Sequence, residues 1–172
     1  MLLYIFLNMD LYRGIFKIIF LDIDGVVSVL ANRWELSEKH MRRVKRICDE
    51  TGAKIVISSS WRWESVDMTL LKIYERCRDL MKNCGEDLPV DDSHFLFNKD
   101  IVIGVTERMG PASRGKEIKK WLDEHPEVER YVILDDDTFD MLPEQKPCLI
   151  QTDWAAGIED ADVKRAVEIL SK

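Results

Sequence analysis

Five short runs of apolar, largely β-branched residues recur along the chain, and each run is nearly continuous. They lie at residues 17–22, 54–60, 101–106, 131–137 and 147–153. A strand with one solvent-exposed face alternates apolar and polar side chains, whereas a strand of a parallel sheet is covered on both faces and is apolar along most of its length. The five runs therefore predict parallel strands that are buried inside the molecule.

Segments with helical periodicity separate these runs. The segment 37–52 begins with Ser37, a good N-cap residue, and ends at Gly52, and its apolar residues recur at the spacing of one helix face. Similar segments follow at residues 68–85, 113–128 and 158–172. Strands that alternate with helices predict a doubly wound α/β fold, a three-layer sandwich with a mainly parallel sheet.

The length of the chain, 172 residues, fits one domain. We expect residues 1–172 to form a single unit, with residues 1–16 as an extra N-terminal segment. The stretch 85–100 mixes turn residues with apolar ones and predicts a loop region near one edge of the sheet. The net charge of −7 argues against a broad basic surface for nucleic acid, although it permits a local basic cleft.

The spacing of cysteines and histidines argues against a zinc centre. None of the four cysteines forms a C-x-x-C pair, and the three histidines lie far apart. Scattered thiols in a domain of this size are typical of a reduced, cytoplasmic protein. No run reaches the roughly 18 apolar residues that a membrane span needs, so we expect no membrane partner.

Small polar or acidic residues follow three of the predicted strands. Asp22 ends the first run, with Asp24 and Gly25 just beyond it, while serines occupy 58–60 and aspartates occupy 135–137. In an open α/β sheet the ligand crevice lies at the carboxyl ends of the strands, so these groups should meet there. Neighbouring carboxylates raise one another's pKa values, and a hard divalent cation such as Mg²⁺ relieves that repulsion.

The motifs resemble those of the haloacid dehalogenase (HAD) superfamily of phosphohydrolases. "FLDIDGVV" matches the D-x-D-G-[VT] signature, "VISSSW" resembles the second motif, and "VILDDD" resembles the fourth. The order and spacing agree from residue 17 to about residue 153. Together with "RGKEIKKWL", these stretches look like the HAD domain of Swiss Army Knife RNA-repair proteins.

This resemblance implies a role for each motif residue. Asp22 would attack phosphorus and form an aspartyl-phosphate, and Asp24 would act as general acid and then as general base. Ser58 would bind phosphoryl oxygens, together with the backbone amide of Ser59. Mg²⁺ would be held by Asp22, by the backbone carbonyl of Asp24, and by Asp135 and Asp136.

The basic residue of the third motif has two candidates at a predicted helix start, where the helix N-terminus itself favours anions. Arg114 is preferred because the arginine stands out in the R-G-x-E-I pattern, and Lys116 comes second. Arg62 is a further cation beside the cleft and a candidate substrate contact. Trp61 and Trp63 fit packing as well as base stacking.

Short intervals between the motifs leave little chain for a cap. The interval after the first motif is long enough for one helix and its loops only. Farther along the chain, Asp137 and Asp140 fit loop solvation better than catalysis. Because open, capless HAD clefts suit bulky substrates, the resemblance implies a Mg²⁺-dependent phosphatase acting on a nucleic-acid end. The alternatives are a phosphatase for nucleotides or sugar phosphates and a non-catalytic binding module, which the intact Asp22 and Asp24 disfavour.

Overall fold

The structure is a computed structural model in which residues 16–83 and 97–172 are described, except for the side chains of residues 77–83. The predicted N-terminal segment, apart from its last residue, lies outside these residues. So does most of the loop region predicted at 85–100.

A sheet of five parallel strands forms the centre of the molecule. The strands are β1 (Phe16–Leu21), β4 (Lys54–Ile57), β5 (Val102–Val105), β6 (Val128–Asp135) and β7 (Leu149–Gln151). Their order across the sheet is β5-β4-β1-β6-β7, and each neighbouring pair is parallel. The five apolar runs correspond to these five strands, so the predicted parallel sheet is confirmed.

Two strands of the structure have no counterpart in the prediction. β2 (Ser28–Val29) and β3 (Glu35–Leu36) form a short antiparallel hairpin between β1 and the first helix. A two-residue strand is too short to leave a periodic pattern in the sequence, so this interval was predicted to hold only a helix and loops.

Four described helices flank the sheet. They are α1 (Glu38–Thr51), α2 (Val66–Asn83), α3 (Arg114–Glu124) and α4 (Asp160–Ser171). α1 ends as the sequence predicts, because Gly52 has a φ of 74° and its N–H donates to the carbonyl of Cys48. Short 3-10 helices occupy Leu30–Asn32 and Pro143–Cys148. Within the described part of the chain, none of the helices is both long and apolar enough to cross a membrane.

The side chains of β1 alternate between two cores. Ile19 and Leu21 belong to the core that includes residues of α1 and α4, whereas Ile18 and Phe20 belong to the core on the side of α3. The ring of Phe20 meets the ring of Trp121 edge to face, with 5.5 Å between centroids. Both faces of the sheet are therefore covered, which is the predicted three-layer arrangement.

The strand order creates a crevice at the carboxyl end of β1. The chain moves outward from β1 to β4 and β5, and then returns to the other side of β1 for β6 and β7. Such a reversal separates the connections on either side and opens a ligand crevice. Leu21 pairs with both Ile57 and Leu134, so the residues that follow these three strands arrive together.

Candidate active site

β1 delivers Asp22 to the crevice, and Gly25 turns the chain away. Asp22 is only 7% exposed, and its N–H continues the ladder to the carbonyl of Leu134 at 2.9 Å. Gly25 has a φ of 73°, and a Cβ placed there would lie 2.3 Å from the Cγ of Asp136. Only glycine therefore permits the turn to approach that carboxylate so closely.

Three carboxylates meet at this edge of the sheet. Asp22, Asp135 and Asp136 each offer an oxygen, and these oxygens lie within 4.8 Å of one another. Burial is the largest cause of a raised pKa at all three, and the pKa of Asp135 reaches about 7. Clustered oxygen donors that resist ionisation by themselves are well suited to a hard divalent cation, so this donor set fits Mg²⁺.

Arg114 lies between two of these carboxylates. Its Nη1 is 2.7 Å from Oδ2 of Asp135 and 3.3 Å from Oδ1 of Asp22. Burial alone would lower the pKa of the guanidinium, but the surrounding carboxylates, chiefly Asp22 and Asp135, raise it overall. Lys116, two residues along the same helix, is exposed. The structure thus brings Arg114, the preferred candidate, to Asp22.

The first turn of α3 fixes the position of Arg114. Its backbone N–H donates to Oδ2 of Asp140 at 2.8 Å, so Asp140 caps the helix rather than merely solvating a loop. A Cβ on Gly115 would lie 2.6 Å from the carbonyl oxygen of Asp140 and 2.8 Å from Oε1 of Gln145. The glycine after Arg114 therefore lets the helix pack directly against the loop that follows β6.

The two aspartates at the end of β6 have different partners. Asp135 accepts from Arg114 through Oδ2 and from the N–H of Asp137 through Oδ1, at 2.7 and 3.0 Å. The partly exposed carboxylate of Asp136 accepts no hydrogen bond from any other residue in the described ranges. Asp136 thus has the freer lone pairs for a metal ion, while Asp135 anchors the arginine.

The serines after β4 lie next to Asp22. Ser58 and Ser59 are completely buried, and the hydroxyl of Ser58 has no hydrogen-bond partner among the described residues. The side chain of Ser59 bonds to Asp22, which lowers the pKa of that carboxyl against the effect of burial. An unpaired buried hydroxyl is costly, so Ser58 is a group that a bound ligand would satisfy.

The carboxylate of Asp24 is held by Trp61. The indole Nε1–H is shared between Oδ1 and Oδ2 of Asp24, each at 3.0 Å. The metal-ligand cluster includes the carboxylate of Asp22 but not that of Asp24. The side chain of Asp24 is thus separate from the cluster and lies on the side of the crevice formed by the loop after β4.

Arg62 lies inside the protein, with only 6% of its side chain exposed. Its guanidinium donates to the carbonyls of Ser58, Ser59 and Thr106, at 3.1, 2.6 and 2.8 Å. It also donates to Oε2 of the equally buried Glu117 at 2.5 Å. An arginine just after a strand end can thus fold back onto the carbonyls of its own loop, and these bonds connect the serine loop to the end of β5 and to α3. A substrate contact by Arg62 stays a prediction.

Replacing Arg62 by Met is expected to lower the free energy of unfolding by about 3–5 kcal/mol, because the buried charge of Glu117 loses its partner. Denaturant titration measures this change. The matched control is Arg42→Met, which breaks an exposed ion pair with Glu38 and should cost less than about 1 kcal/mol. Equal losses in the two variants would show that the Arg62–Glu117 pair has no special structural role.

The contacts of three residues of the site escape prediction from sequence. Trp61 is bonded to Asp24 across 37 positions, and no local pattern marks such a pair. Asp140 lies 26 positions from the backbone amide it caps. Glu117 leaves a weak signal, because it lies three residues after Arg114 on the same helix, in the R-G-x-E-I pattern itself.

Comparison with known proteins identifies the fold family. The sequence model of one family, described as the HAD domain in Swiss Army Knife RNA repair proteins, matches residues 18–163. The chain belongs to this family. The matched range includes every HAD motif residue named in the sequence analysis. The parallel sheet of the structure, with helices on both faces, has the HAD-like, Rossmann-type architecture. Searches of curated proteins and of solved structures found no significant match.

Proposed function

We propose that this HAD domain is a Mg²⁺-dependent phosphatase that works through an aspartyl-phosphate and acts on a nucleic-acid end. The observation that carries the proposal is the arrangement of Asp22 between the guanidinium of Arg114 and the carboxylate of Asp136. Phosphoryl transfer needs a nucleophile, positive charge around the phosphoryl oxygens and an acid/base group. Membership of the HAD family supports the assignment of these roles to this cluster.

In the first step an oxygen of Asp22 bonds to phosphorus while the bond from phosphorus to the leaving oxygen breaks. Arg114 favours the ionised form of Asp22, since it lowers the pKa of a carboxyl that burial raises. Arg114 also offers charge to the phosphoryl oxygens. The unpaired hydroxyl of Ser58 donates to one of these oxygens, and the backbone amide of Ser59 donates to another.

Asp22, Asp136 and the backbone carbonyl of Asp24 would hold Mg²⁺, and Asp135 would keep Arg114 in place beside them. When bound, Mg²⁺ supplies positive charge that offsets the carboxylates and the phosphoryl oxygens. Gly25 brings the turn close enough to Asp136 for the two sides of this set to meet.

Asp24 acts as the general acid and then as the general base. It donates a proton to the leaving oxygen in the first step and then removes a proton from the water that attacks the aspartyl-phosphate. The bond between Asp22 and phosphorus breaks in that second step, so phosphate leaves and the Asp22 carboxylate is restored. The shared hydrogen bond from Trp61 orients the carboxylate of Asp24 for both transfers.

Replacing Trp61 by Phe is expected to lower kcat/KM, which reports on formation of the aspartyl-phosphate, about tenfold for an alkyl phosphate, because the ring remains but Asp24 loses its N–H partner. The loss should be smaller for p-nitrophenyl phosphate, whose leaving group needs little protonation. Steady-state kinetics with both substrates measures the difference, and Trp154→Phe, at a 52% exposed tryptophan, is the control. Equal losses with the two substrates would rule out a role in positioning the acid.

A crevice that the described residues leave uncovered on one side supports a bulky substrate. Between β1 and α1 the structure has only the β2–β3 hairpin and a single-turn 3-10 helix, so no cap domain stands over the crevice on that side. Small substrates usually depend on closure to exclude water from the reaction. The family description refers to RNA repair proteins, which supports a nucleic-acid end as the phosphate ester.

The proposal is tested by measuring phosphate release from four kinds of substrate, with and without Mg²⁺. These are 3′-phosphorylated oligonucleotides, 5′-phosphorylated oligonucleotides, free mononucleotides and sugar phosphates. We expect Mg²⁺-dependent release that is fastest from an oligonucleotide end. Faster release from mononucleotides or sugar phosphates would favour the small-molecule alternative, and no release from any substrate would leave a non-catalytic module.

A further inference from the structure

A groove runs from Arg114 along the carboxyl edge of the sheet to its outer strand, β5. It consists of two adjoining cavities of about 350 Å³ and about 740 Å³, and Arg62 and Arg108 line both. Arg114 and Ser60 line the smaller cavity, and Arg114 is also the residue that contacts Asp22 in the candidate active site. We call the larger cavity the β5 groove; its other lining residues are Trp63, Glu64, Lys72, Val105, Thr106 and Glu107.

The β5 groove combines an exposed aromatic ring with two cations. Trp63 is 51% exposed, and the Nζ of Lys72 lies 5.7 Å from the centroid of its ring. Arg108 donates through Nη2 to the carbonyls of Ser60 and Arg62, at 2.7 and 2.8 Å. These two bonds hold the Arg108 guanidinium where the two cavities join. A base can stack on such a ring, and such cations can bind backbone phosphate.

A buried hydroxyl in the groove lacks a partner. Thr106 is only 2% exposed, lines the β5 groove, and its Oγ1 has no hydrogen-bond partner among the described residues. A hydroxyl left unpaired in this way costs free energy, and a polar atom of a ligand in the groove would satisfy it. This observation is independent of Trp63 and the two cations.

The local charge of the groove is opposite to the net charge of the chain. Its acidic lining residues are Glu64 and Glu107, and Glu107 is paired with Lys120 on α3. Lys72 and Arg108 therefore outweigh Glu64, on a chain whose net charge is −7. A local basic cleft on an acidic protein directs a polyanion to one place rather than to the whole surface.

We propose that the β5 groove binds the nucleotides adjacent to the terminal phosphate of a single-stranded nucleic acid. This inference rests on the proposed function, because it places the rest of the substrate once its phosphate lies beside Asp22 and Arg114. One base stacks on Trp63, an internucleotide phosphate lies between Arg108 and Lys72, and the hydroxyl of Thr106 bonds to the strand. The strand is single because its base must be free of a duplex to reach the indole.

Fluorescence anisotropy tests the stacking contact. A fluorescently labelled, 3′- or 5′-phosphorylated oligonucleotide is titrated with the Asp22→Asn protein, which leaves the terminal phosphate in place. Adding Trp63→Ala should weaken binding about tenfold. Adding Trp154→Ala, at a tryptophan of matched exposure beyond β7, should leave affinity unchanged. Equal affinities of the Trp63→Ala variant and the Asp22→Asn parent for the oligonucleotide would overturn the proposal. Equal losses of affinity in the Trp63→Ala and Trp154→Ala variants would overturn it as well.

Salt dependence tests the phosphate contacts separately. Lys72→Gln and Arg108→Gln should each reduce the slope of log affinity against log salt concentration by about 0.7, the value for one phosphate contact on a single strand. Arg42→Gln, which removes an exposed cation from α1, should leave the slope unchanged. Unaltered slopes in both groove variants, or equally tight binding of a blunt duplex, would refute the groove as the strand site.

The outcomes for the groove and for the phosphatase are separable. Hydrolysis of p-nitrophenyl phosphate by the unaltered protein reports on catalysis without any strand. If the protein hydrolyses this ester but Trp63→Ala leaves its affinity for the oligonucleotide unchanged, only the proposal for the β5 groove is refuted. Strand binding that depends on Trp63, without hydrolysis of any phosphate ester, would refute the phosphatase alone.

Discussion

Replacing Asp22 by Asn is expected to reduce phosphate release by at least about 10³-fold, because an amide cannot serve as the nucleophile. The same change removes a ligand from the carboxylate cluster and a partner from Arg114. The measurement is kcat for p-nitrophenyl phosphate at saturating Mg²⁺. The fold should survive, since burial already disfavours the charged form of Asp22, and a neutral amide removes that cost.

The matched control for this change is Asp123→Asn. It removes an exposed carboxylate from the far end of α3, where Asp123 pairs only with Lys119 among the described residues. We expect unchanged turnover and unchanged thermal stability. If the Asp22→Asn protein turned over as fast as this control, Asp22 could not be the nucleophile.

Arg114→Ala is expected to lower kcat/KM about 10²-fold, because the positive charge beside the phosphoryl oxygens is lost. Lys116→Ala should leave kcat/KM unchanged, since Lys116 is exposed. Both changes remove one positive charge from the first turn of the same helix, so the pair separates a specific contact from a general charge effect. Inorganic phosphate as a competitive inhibitor measures the binding component directly.

The reverse pattern would assign the third motif differently. If Lys116→Ala weakened phosphate inhibition and Arg114→Ala did not, Lys116 would be the phosphate-binding cation. Arg114 would then serve only to pair with Asp22 and Asp135. A third variant, Arg114→Lys, retains the charge but loses the guanidinium, whose Nη1 contacts both carboxylates, so we expect only partial recovery of kcat/KM.

The sheet and the central residues of the site can be predicted from the sequence for a physical reason. Strand segments covered on both faces are nearly continuously apolar, so β1 and the second half of β6 can be recognised in the sequence. Parallel strands end at one edge, so Asp22, Ser58 and Asp135 had to converge once those strands were identified. The preference for Arg114 came from the family resemblance, because composition and spacing alone do not separate it from Lys116.

Side-chain contacts across long sequence separations could not be predicted. The burial of Arg62 depends on the carbonyls of its own loop and on Glu117, which lies 55 positions away. The bond from Trp61 to Asp24 depends on how the loop after β4 folds over the crevice, which no periodicity reveals. An arginine or a tryptophan after a strand has the same sequence signature whether its side chain faces solvent or the interior.

The most direct test of the central claim is to trap the phosphorylated enzyme during turnover. The protein is mixed with substrate and Mg²⁺ and quenched in acid within one turnover, and peptide mass spectrometry then locates the phosphoryl group. We predict a phosphoryl group on the peptide containing Asp22, and none in the Asp22→Asn protein. Rapid phosphate release with no phosphorylated peptide, or a phosphoryl group on a residue other than Asp22, would contradict the proposed mechanism.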